Sequence, residues 1–274
     1  MLSRRKFIKL GLGTAIGAGT MLTETGKLIV AAPQSYDSKT RYAFLVDTTK
    51  CVGCGFCVKA CKVENEIPYE ANASRTWVER YVVMNDGHVY ADSPKAGRDG
   101  FTSPVISGYN TDNEGRVVLP HGNGESLKPL VPDEKDIAKM FFVPKLCNQC
   151  DKPACVQVCP VGATYQTADG VVLVDRNWCI GCGYCIMSCP YGVRFFHPVT
   201  RTAEKCTWCY HRITKGMKPA CVDACAFGAR DIGNIMDPED PVTRIIKTER
   251  VQVLKPDYGT GPQAYYLGLD HEVR

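Results

Sequence analysis

An α+β fold built from two related cysteine-rich units, one inserted within the other, with long loops and a C-terminal tail wrapping the core, is the fold this sequence predicts. Three observations carry that expectation. The 274 residues include 16 cysteines, which fall into four groups of four. The groups are related in pairs by repeats that run past the cysteines into their flanks. Short β-branched runs lead into two of the groups, whereas Gly, Pro, Asn and Asp crowd the longer connections. Apolar content of 45% and charged content of 23% are ordinary for a globular chain, so the cysteines are the unusual feature.

Residues 1–32 are read as a signal segment. A basic head, Ser3-Arg4-Arg5-Lys6-Phe7-Ile8-Lys9, precedes a short apolar stretch from Leu10 to Leu22. The adjacent arginines, followed by Phe, Ile and Lys, match the twin-arginine export motif. That route exports folded proteins, so a cofactor can be inserted first, and it places the chain in the periplasm. Five glycines between Gly11 and Gly26 argue against a membrane helix. The Gly11-to-Gly17 run lacks the preceding strand of a nucleotide-binding loop. The formal charge of +4 also sits here, in Arg4, Arg5, Lys6, Lys9 and Lys27 against Glu24. The remainder is balanced, so nothing in the charge suggests a nucleic-acid surface. No other run of about 20 apolar residues occurs, so no span is expected unless the signal segment is retained.

Residues 33–274 are read as one folded body. Group one is Cys51, Cys54, Cys57 and Cys61, spaced C-x2-C-x2-C-x3-C; group three, Cys179, Cys182, Cys185 and Cys189, repeats that spacing. Group two is Cys147, Cys150, Cys155 and Cys159, and group four is Cys206, Cys209, Cys221 and Cys225. Groups two and three end in Cys-Pro. The C-x2-C-x2-C-x3-C-P run is the bacterial ferredoxin signature, in which a tight loop aims three thiolates at one [4Fe–4S] cube and the fourth cysteine ligates the other cluster. Gly53, Gly55, Gly181 and Gly183 let the backbone fold closely around such a cube. Disulfides, common in exported chains with even cysteine counts, do not explain this spacing. Zinc ribbons use two pairs rather than four consecutive cysteines. A radical enzyme would need C-x3-C-x2-C and an iron with a vacant site, and four cubes consume every cysteine.

The repeats give the wiring. Val46-Asp47-x3-Cys51-x-Gly53-Cys54-Gly55 matches Val174-Asp175-x3-Cys179-x-Gly181-Cys182-Gly183, and each follows a short apolar run read as a strand, Phe44–Val46 and Val171–Val174. Lys152-Pro153-Ala154-Cys155-Val156-x2-Cys159-x2-Gly162-Ala163 matches Lys218-Pro219-Ala220-Cys221-Val222-x2-Cys225-x2-Gly228-Ala229. The chain therefore reads as duplicated bacterial two-cluster ferredoxin-like units. Residues 147–189 form the inner unit, 41–62 plus 203–231 the outer one, and 63–146 an insert. The crossing rule predicts four ligand sets: Cys51, Cys54, Cys57 with Cys225 (cluster 1); Cys206, Cys209, Cys221 with Cys61 (cluster 2); Cys147, Cys150, Cys155 with Cys189 (cluster 3); and Cys179, Cys182, Cys185 with Cys159 (cluster 4).

On these motifs the chain resembles the four-cluster subunit of complex iron–sulfur molybdoenzymes and their relatives, the polysulfide, tetrathionate, arsenate and dimethyl sulfoxide reductases and the nitrite-reductase electron-transfer proteins. The resemblance runs over about residues 41–270. It includes the tail, where Val253-Leu254-Lys255-Pro256, Gly259-Thr260 and Pro262 to Leu267 are similar to the family's closing segment. It implies electron transfer through four [4Fe–4S] clusters. The implied partners are an NrfD-like integral membrane quinone subunit and a molybdopterin catalytic subunit or multihaem cytochrome, with no catalysis by the chain alone. An alternative is the iron–sulfur subunit of a periplasmic hydrogenase or formate dehydrogenase.

The rest says less. Trp77–Val83 reads as a strand, and 92–132 as a surface loop, either a docking element or a cover over a cluster. His88, His121, His197, His211 and His271 are scattered and read as surface or packing residues. Trp178 and Trp208, beside or between ligands, read as packing that keeps water from a cluster.

Overall fold

The computed structural model describes residues 39–102, 106, 110–111, 117–118 and 132–273. The signal segment and most of the 92–132 loop lie outside the described residues.

The elements run β1 (Tyr42–Asp47), α1 (Phe56–Glu64), β2 (Thr76–Met84), β3 (Val89–Asp92), β4 (Asn110–Thr111), β5 (Val117–Val118), β6 (Ile137–Leu146), α2 (Ala154–Gln157), β7 (Thr164–Gln166) and β8 (Val172–Val174). Then follow α3 (Tyr184–Met187), β9 (Phe195–Phe196), β10 (Ala203–Glu204), α4 (Tyr210–Ile213), α5 (Ala220–Asp223), β11 (Arg230–Asn234), α6 (Pro241–Thr248), β12 (Val251–Gln252) and β13 (Ala264–Leu267). The class is α+β, with short helices carrying the cysteines and strands set around them.

The strand leading into group one pairs with the strand leaving group four. β1 runs antiparallel to β11, with Val46 opposite Arg230. The strand leading into group three pairs with the strand leaving group two: β8 runs antiparallel to β7, with Val174 opposite Thr164. Val46 and Val174 occupy the same place in one sequence repeat, and Arg230 and Thr164 the same place in the other, so the two hairpin-like pairs share a register. The helices follow suit. α1 packs against α5 and α2 against α3.

β1 is apolar throughout because it is central, flanked by β11 on one side and β13 on the other in the order β11-β1-β13-β12. Phe44 and Val46 are wholly buried there. β13 joins it in parallel, Phe44 opposite Ala264, which brings the C-terminal tail into the core. The tail also binds group two: the Asp151 and Lys152 N–H groups donate to Gly261 and Thr260 carbonyls at 2.7 and 2.9 Å, and the Gln263 N–H to Asn148 C=O at 2.8 Å.

The insert forms the sheet β5-β4-β3-β2-β6. β2 and β6 pair from Thr76 opposite Leu146 to Met84 opposite Ile137, with an irregularity at Val83/Met84. Pro144 lies on β6, an edge strand, where the missing N–H leaves no ladder bond unmade on the open side. This sheet delivers Cys147 directly from the end of β6, and both of its faces add to the core, Val78 and Leu146 from one and Tyr81 and Val143 from the other.

Candidate metal centres

All sixteen thiols are free. The first C-x-x-C turn of each group puts its second intervening residue in the left-handed region. Groups one and three use glycine, Gly53 and Gly181, both at φ 70°. Groups two and four use Gln149 at φ 44° and Trp208 at φ 53°. A side chain there costs roughly 1–2 kcal/mol, so these two must be held in place by what they touch. They are: Gln149 is 0% and Trp208 1% exposed. Gln149 Nε2 donates to Cys206 C=O at 2.8 Å, and its Oε1 accepts from Val172 N–H at 2.7 Å. Trp208 Nε1 donates to Cys147 C=O at 3.1 Å and stacks obliquely on Phe44 at 5.7 Å. Each turn thus reaches across to the carbonyl of the first cysteine of the other, and groups two and four are clasped reciprocally. Trp208 fits its expected packing role. Trp178 does not, being two-thirds exposed on the outer surface beside Cys179.

Backbone N–H groups are aimed at sulfur: Thr164 at Cys159 (3.4 Å), Ala203 at Cys179 (3.3 Å), Trp208 at Cys206 (3.4 Å) and Ala229 at Cys225 (3.3 Å). Asn65 Nδ2 reaches Cys61 Sγ at 3.5 Å and Cys209 Sγ at 3.9 Å, and Arg75 fixes it by donating to its Oδ1 at 2.5 Å.

The thiols lie in neighbourhoods. Cys61 sits among Cys206, Cys221 and Cys209, and all four are buried. Cys57 lies with Cys54 and Cys225, and Cys51 with Cys57 and Cys54. Cys150 lies with Cys147, Cys155 and Cys189, and these four line one cavity with Pro153 and Tyr191. Of the fourth expected set, Cys179 and Cys159 carry the N–H contacts above, Cys185 is buried and Cys182 is exposed. Charge interactions also cross between neighbourhoods. Cys221 feels Cys57, and Cys206 feels Cys147. Arg194 feels Cys155, Cys185 and Cys147.

Burial pushes the thiols of Cys51 and Cys206 up to about 11 and those of Cys150 and Cys221 up to about 12. Thiols so placed hold their protons at neutral pH until a metal displaces them. At Cys159 burial acts in the same sense, but the N–H groups of Thr164, Val161 and Ala163 outweigh it and pull the thiol below its usual value. The donor chemistry fits iron–sulfur cubes: soft sulfur in fours, N–H groups aimed at it, and dry surroundings.

Several residues that bond to the cysteines or act on them through charge escaped the sequence reading. They are Gln149, Asn65, Arg75 and the buried cations Arg194, Lys205 and Arg230. One signal was available: Arg194 and Arg230 each stand five residues after the last cysteine of a group. His197 is buried, but its Nδ1 accepts from the Val199 and Thr200 N–H groups at 3.2 Å, a turn-packing role. His211 is exposed and pairs with Glu64 at 2.6 Å.

Comparison with known proteins agrees with this chemistry. A family described as a 4Fe-4S dicluster domain matches residues 50–163 and, in a second form, residues 138–235. The chain is 35% identical over 271 residues to a tetrathionate reductase subunit of Salmonella typhimurium, covering 98% of this chain and 89% of that one. It is 39% identical to the tetrathionate reductase subunit of the same type from Archaeoglobus fulgidus, covering 84% and 83%. It is also 31% identical to the arsenate respiratory reductase iron-sulfur subunit ArrB of a Shewanella species, covering 83% and 96%.

Proposed function

The chain belongs to the 4Fe-4S dicluster family of iron–sulfur electron-transfer subunits, and from that premise we propose that it passes electrons between a membrane quinone subunit of the NrfD-like kind and a catalytic partner, a molybdopterin subunit or multihaem cytochrome. The chain is an electron-transfer component rather than an enzyme, and its cofactors are four [4Fe–4S] clusters. When bound, these supply one-electron redox sites whose potentials follow net charge, hydrogen bonding to sulfur and exposure. The residues that would hold them are the four expected sets: Cys51, Cys54, Cys57 and Cys225; Cys61, Cys206, Cys209 and Cys221; Cys147, Cys150, Cys155 and Cys189; and Cys159, Cys179, Cys182 and Cys185.

The observation that carries the reading is the succession of neighbourhoods. Charge interactions of Cys221 with Cys57, of Cys206 with Cys147, and of Arg194 with Cys155 and Cys185 link the four sets in one row, 1-2-3-4. A row has two ends. Around set 1, Val52, Phe56 and Val63 are exposed; around set 4, Trp178, Ile180, Tyr184 and Met187 are. Apolar groups held in water beside a redox site suit protein docking. The middle of the row, by contrast, is sealed by the Gln149–Trp208 clasp. The chain's own residues thus position the sulfur ligands, exclude water from the centre and offer two exits.

The shared register of β1/β11 and β7/β8 supports duplicated units, with the unit of residues 147–189 inserted into that of 41–62 plus 203–231. Among the described residues no helix is long and apolar enough to cross a membrane. The twin-arginine reading supports periplasmic action through a membrane partner. Photo-crosslinkers at Met187 and at Val63 in the native host test the proposal. Capture of two different subunits, one of them integral to the membrane, is expected. Capture of the same chain from both ends would contradict it.

A further inference from the structure

Half of the buried lysines and arginines among the described residues have a carboxylate. Arg80 pairs with Asp92 at 2.8 Å, Lys145 with Glu79 at 2.7 Å and Arg75 with Glu204 at 3.0 Å. Lys62 lacks one, but the carbonyls of Pro68, Ala71 and Ala73 at 3.3, 2.7 and 2.8 Å take its three protons. Three others are placed differently. Lys205 (0% exposed), Arg230 (3%) and Arg194 (4%) have no ion-pair partner among the described residues. An isolated buried charge is costly, so each should face a counter-charge.

What they face is sulfur, and sulfur of two sets each. Arg194 Nη2 donates to Cys155 Sγ at 3.1 Å. Its Nη1 reaches Thr164 Oγ1 at 3.4 Å, and the Thr164 N–H donates to Cys159 Sγ at 3.4 Å, so the guanidinium spans sets 3 and 4. Lys205 Nζ donates to the Cys206 C=O at 2.9 Å and to the Val172 C=O, and lies at 3.4 Å from Gln149 Oε1 inside the clasp of groups two and four. The thiols nearest it in charge are Cys147, Cys155 and Cys206, so it stands between sets 2 and 3. Arg230 donates to Thr76 Oγ1 at 2.9 Å, and its Nη2 has no hydrogen-bond partner. It faces Cys57, Cys51 and Cys221, hence sets 1 and 2. One unneutralised cation occupies each of the three junctions of the row.

We propose that Arg230, Lys205 and Arg194 are junction counter-charges, each raising the reduction potential of the two centres it separates. The reason is electrostatic. A cube with four thiolates is anionic, and each electron that arrives adds negative charge. A fixed cation in low dielectric favours that addition on both sides of it. A residue needed only for packing would have no such two-sided effect.

The assignment rests on the ligand sets proposed above. The test is a redox titration of the four centres by paramagnetic resonance, on full-length, iron-replete protein, for Lys205→Met, Arg194→Gln and Arg230→Gln. Each variant is expected to lower two of the four midpoints by about tenfold in the reduction equilibrium, or about 59 mV for one electron. The affected pairs should overlap, with Lys205→Met sharing one centre with each of the other two variants. Lys205→Arg, Arg194→Lys and Arg230→Lys should restore the midpoints. A shift of one centre alone, a uniform shift of all four, or no shift overturns the proposal. Overlapping pairs whose members disagree with the Cys→Ser assignments would instead overturn the ligand sets and leave the counter-charges standing. Should a charge-removing variant lose iron, full iron in its charge-keeping counterpart supports the proposal, and loss in both overturns it.

Discussion

Groups three and four build the same C-x-x-C turn by opposite means. Group three uses Gly181 and Gly183 at φ 70° and 79°, exposes Cys182, and surrounds itself with exposed Trp178, Ile180, Tyr184 and Met187. Group four has no glycine in its turn. Trp208 and Cys209 hold φ 53° and 52°, and Cys206, Cys209 and Cys221 are all buried. The difference follows position in the row. At the set 4 end, few neighbours press on the turn, so the backbone must take its left-handed conformation unaided, and glycine does so freely. In the middle, burial of a whole indole and its hydrogen bond to Cys147 offset the strain and seal the centre at once. The exposed turn suits traffic with a partner, and the sealed one suits passage.

The largest effect expected from this contrast is in stability. Trp208→Ala empties a site deep in the core and breaks the clasp; it should cost about 3–5 kcal/mol in denaturant unfolding of the loaded protein. Trp178→Ala should stay within about 0.5 kcal/mol. Equal losses would break the comparison. A second, smaller effect separates two turns that share the same backbone. A Cβ at Gly53 would meet the Phe142 ring at 2.6 Å, whereas one at Gly181 finds only the Arg201 carbonyl, at 3.2 Å. Gly53→Ala should therefore add an overpacking cost of about 1–3 kcal/mol to the backbone strain of about 1–2 kcal/mol that Gly181→Ala also carries. Melting curves of the two variants side by side would show it, and identical curves would locate the constraint in φ alone.

Gln149 sharpens the other side. Gln149→Leu keeps the bulk but leaves the Val172 N–H without its partner and the Cys206 carbonyl with Lys205 alone, and should cost about 1–3 kcal/mol. Gln149→Gly relieves φ yet should be no better, because the clasp is lost. Recovery of wild-type stability in Gln149→Gly would show that strain, not the clasp, dominates.

The smallest effect is a pH control that keeps scaffold unfolding from being mistaken for loss of either centre. Burial pushes Glu79 up, but the charge and hydrogen bond of Lys145, with Trp77 and Tyr81, more than reverse this and hold it below the usual carboxylate range. A folded value below the unfolded one, about 4.3, stabilises the fold above that pH and ceases to do so as the pH falls through the folded value. Glu79→Gln should flatten this part of the acid limb of stability and leave the neutral-pH visible absorption of the clusters unchanged.

Much of this arrangement was legible in the sequence, because local spacing encodes it. The cysteine groups, the repeats and the strands at Phe44–Val46, Val171–Val174 and Trp77–Val83 follow from patterns that neighbouring residues carry. What escaped depends on contacts far apart in the chain. Nothing near Gln149 says that it reaches Cys206, or that Trp208 answers at Cys147. The parallel seat of β13 beside β1 joins the two ends of the folded body, a pairing that no local period signals. Lys205, Arg194 and Arg230 look like ordinary surface cations until the fold closes over them, and only the shared five-residue step, from Cys189 to Arg194 and from Cys225 to Arg230, hinted at a common place.

The most direct test of the row is Cys189→Ser. Paramagnetic resonance of the reduced protein should show the same centre perturbed, or converted to a three-iron signal, as in Cys150→Ser. A match to Cys182→Ser instead would place Cys189 with its own sequence group and contradict both the crossed ligand sets and the order built on them.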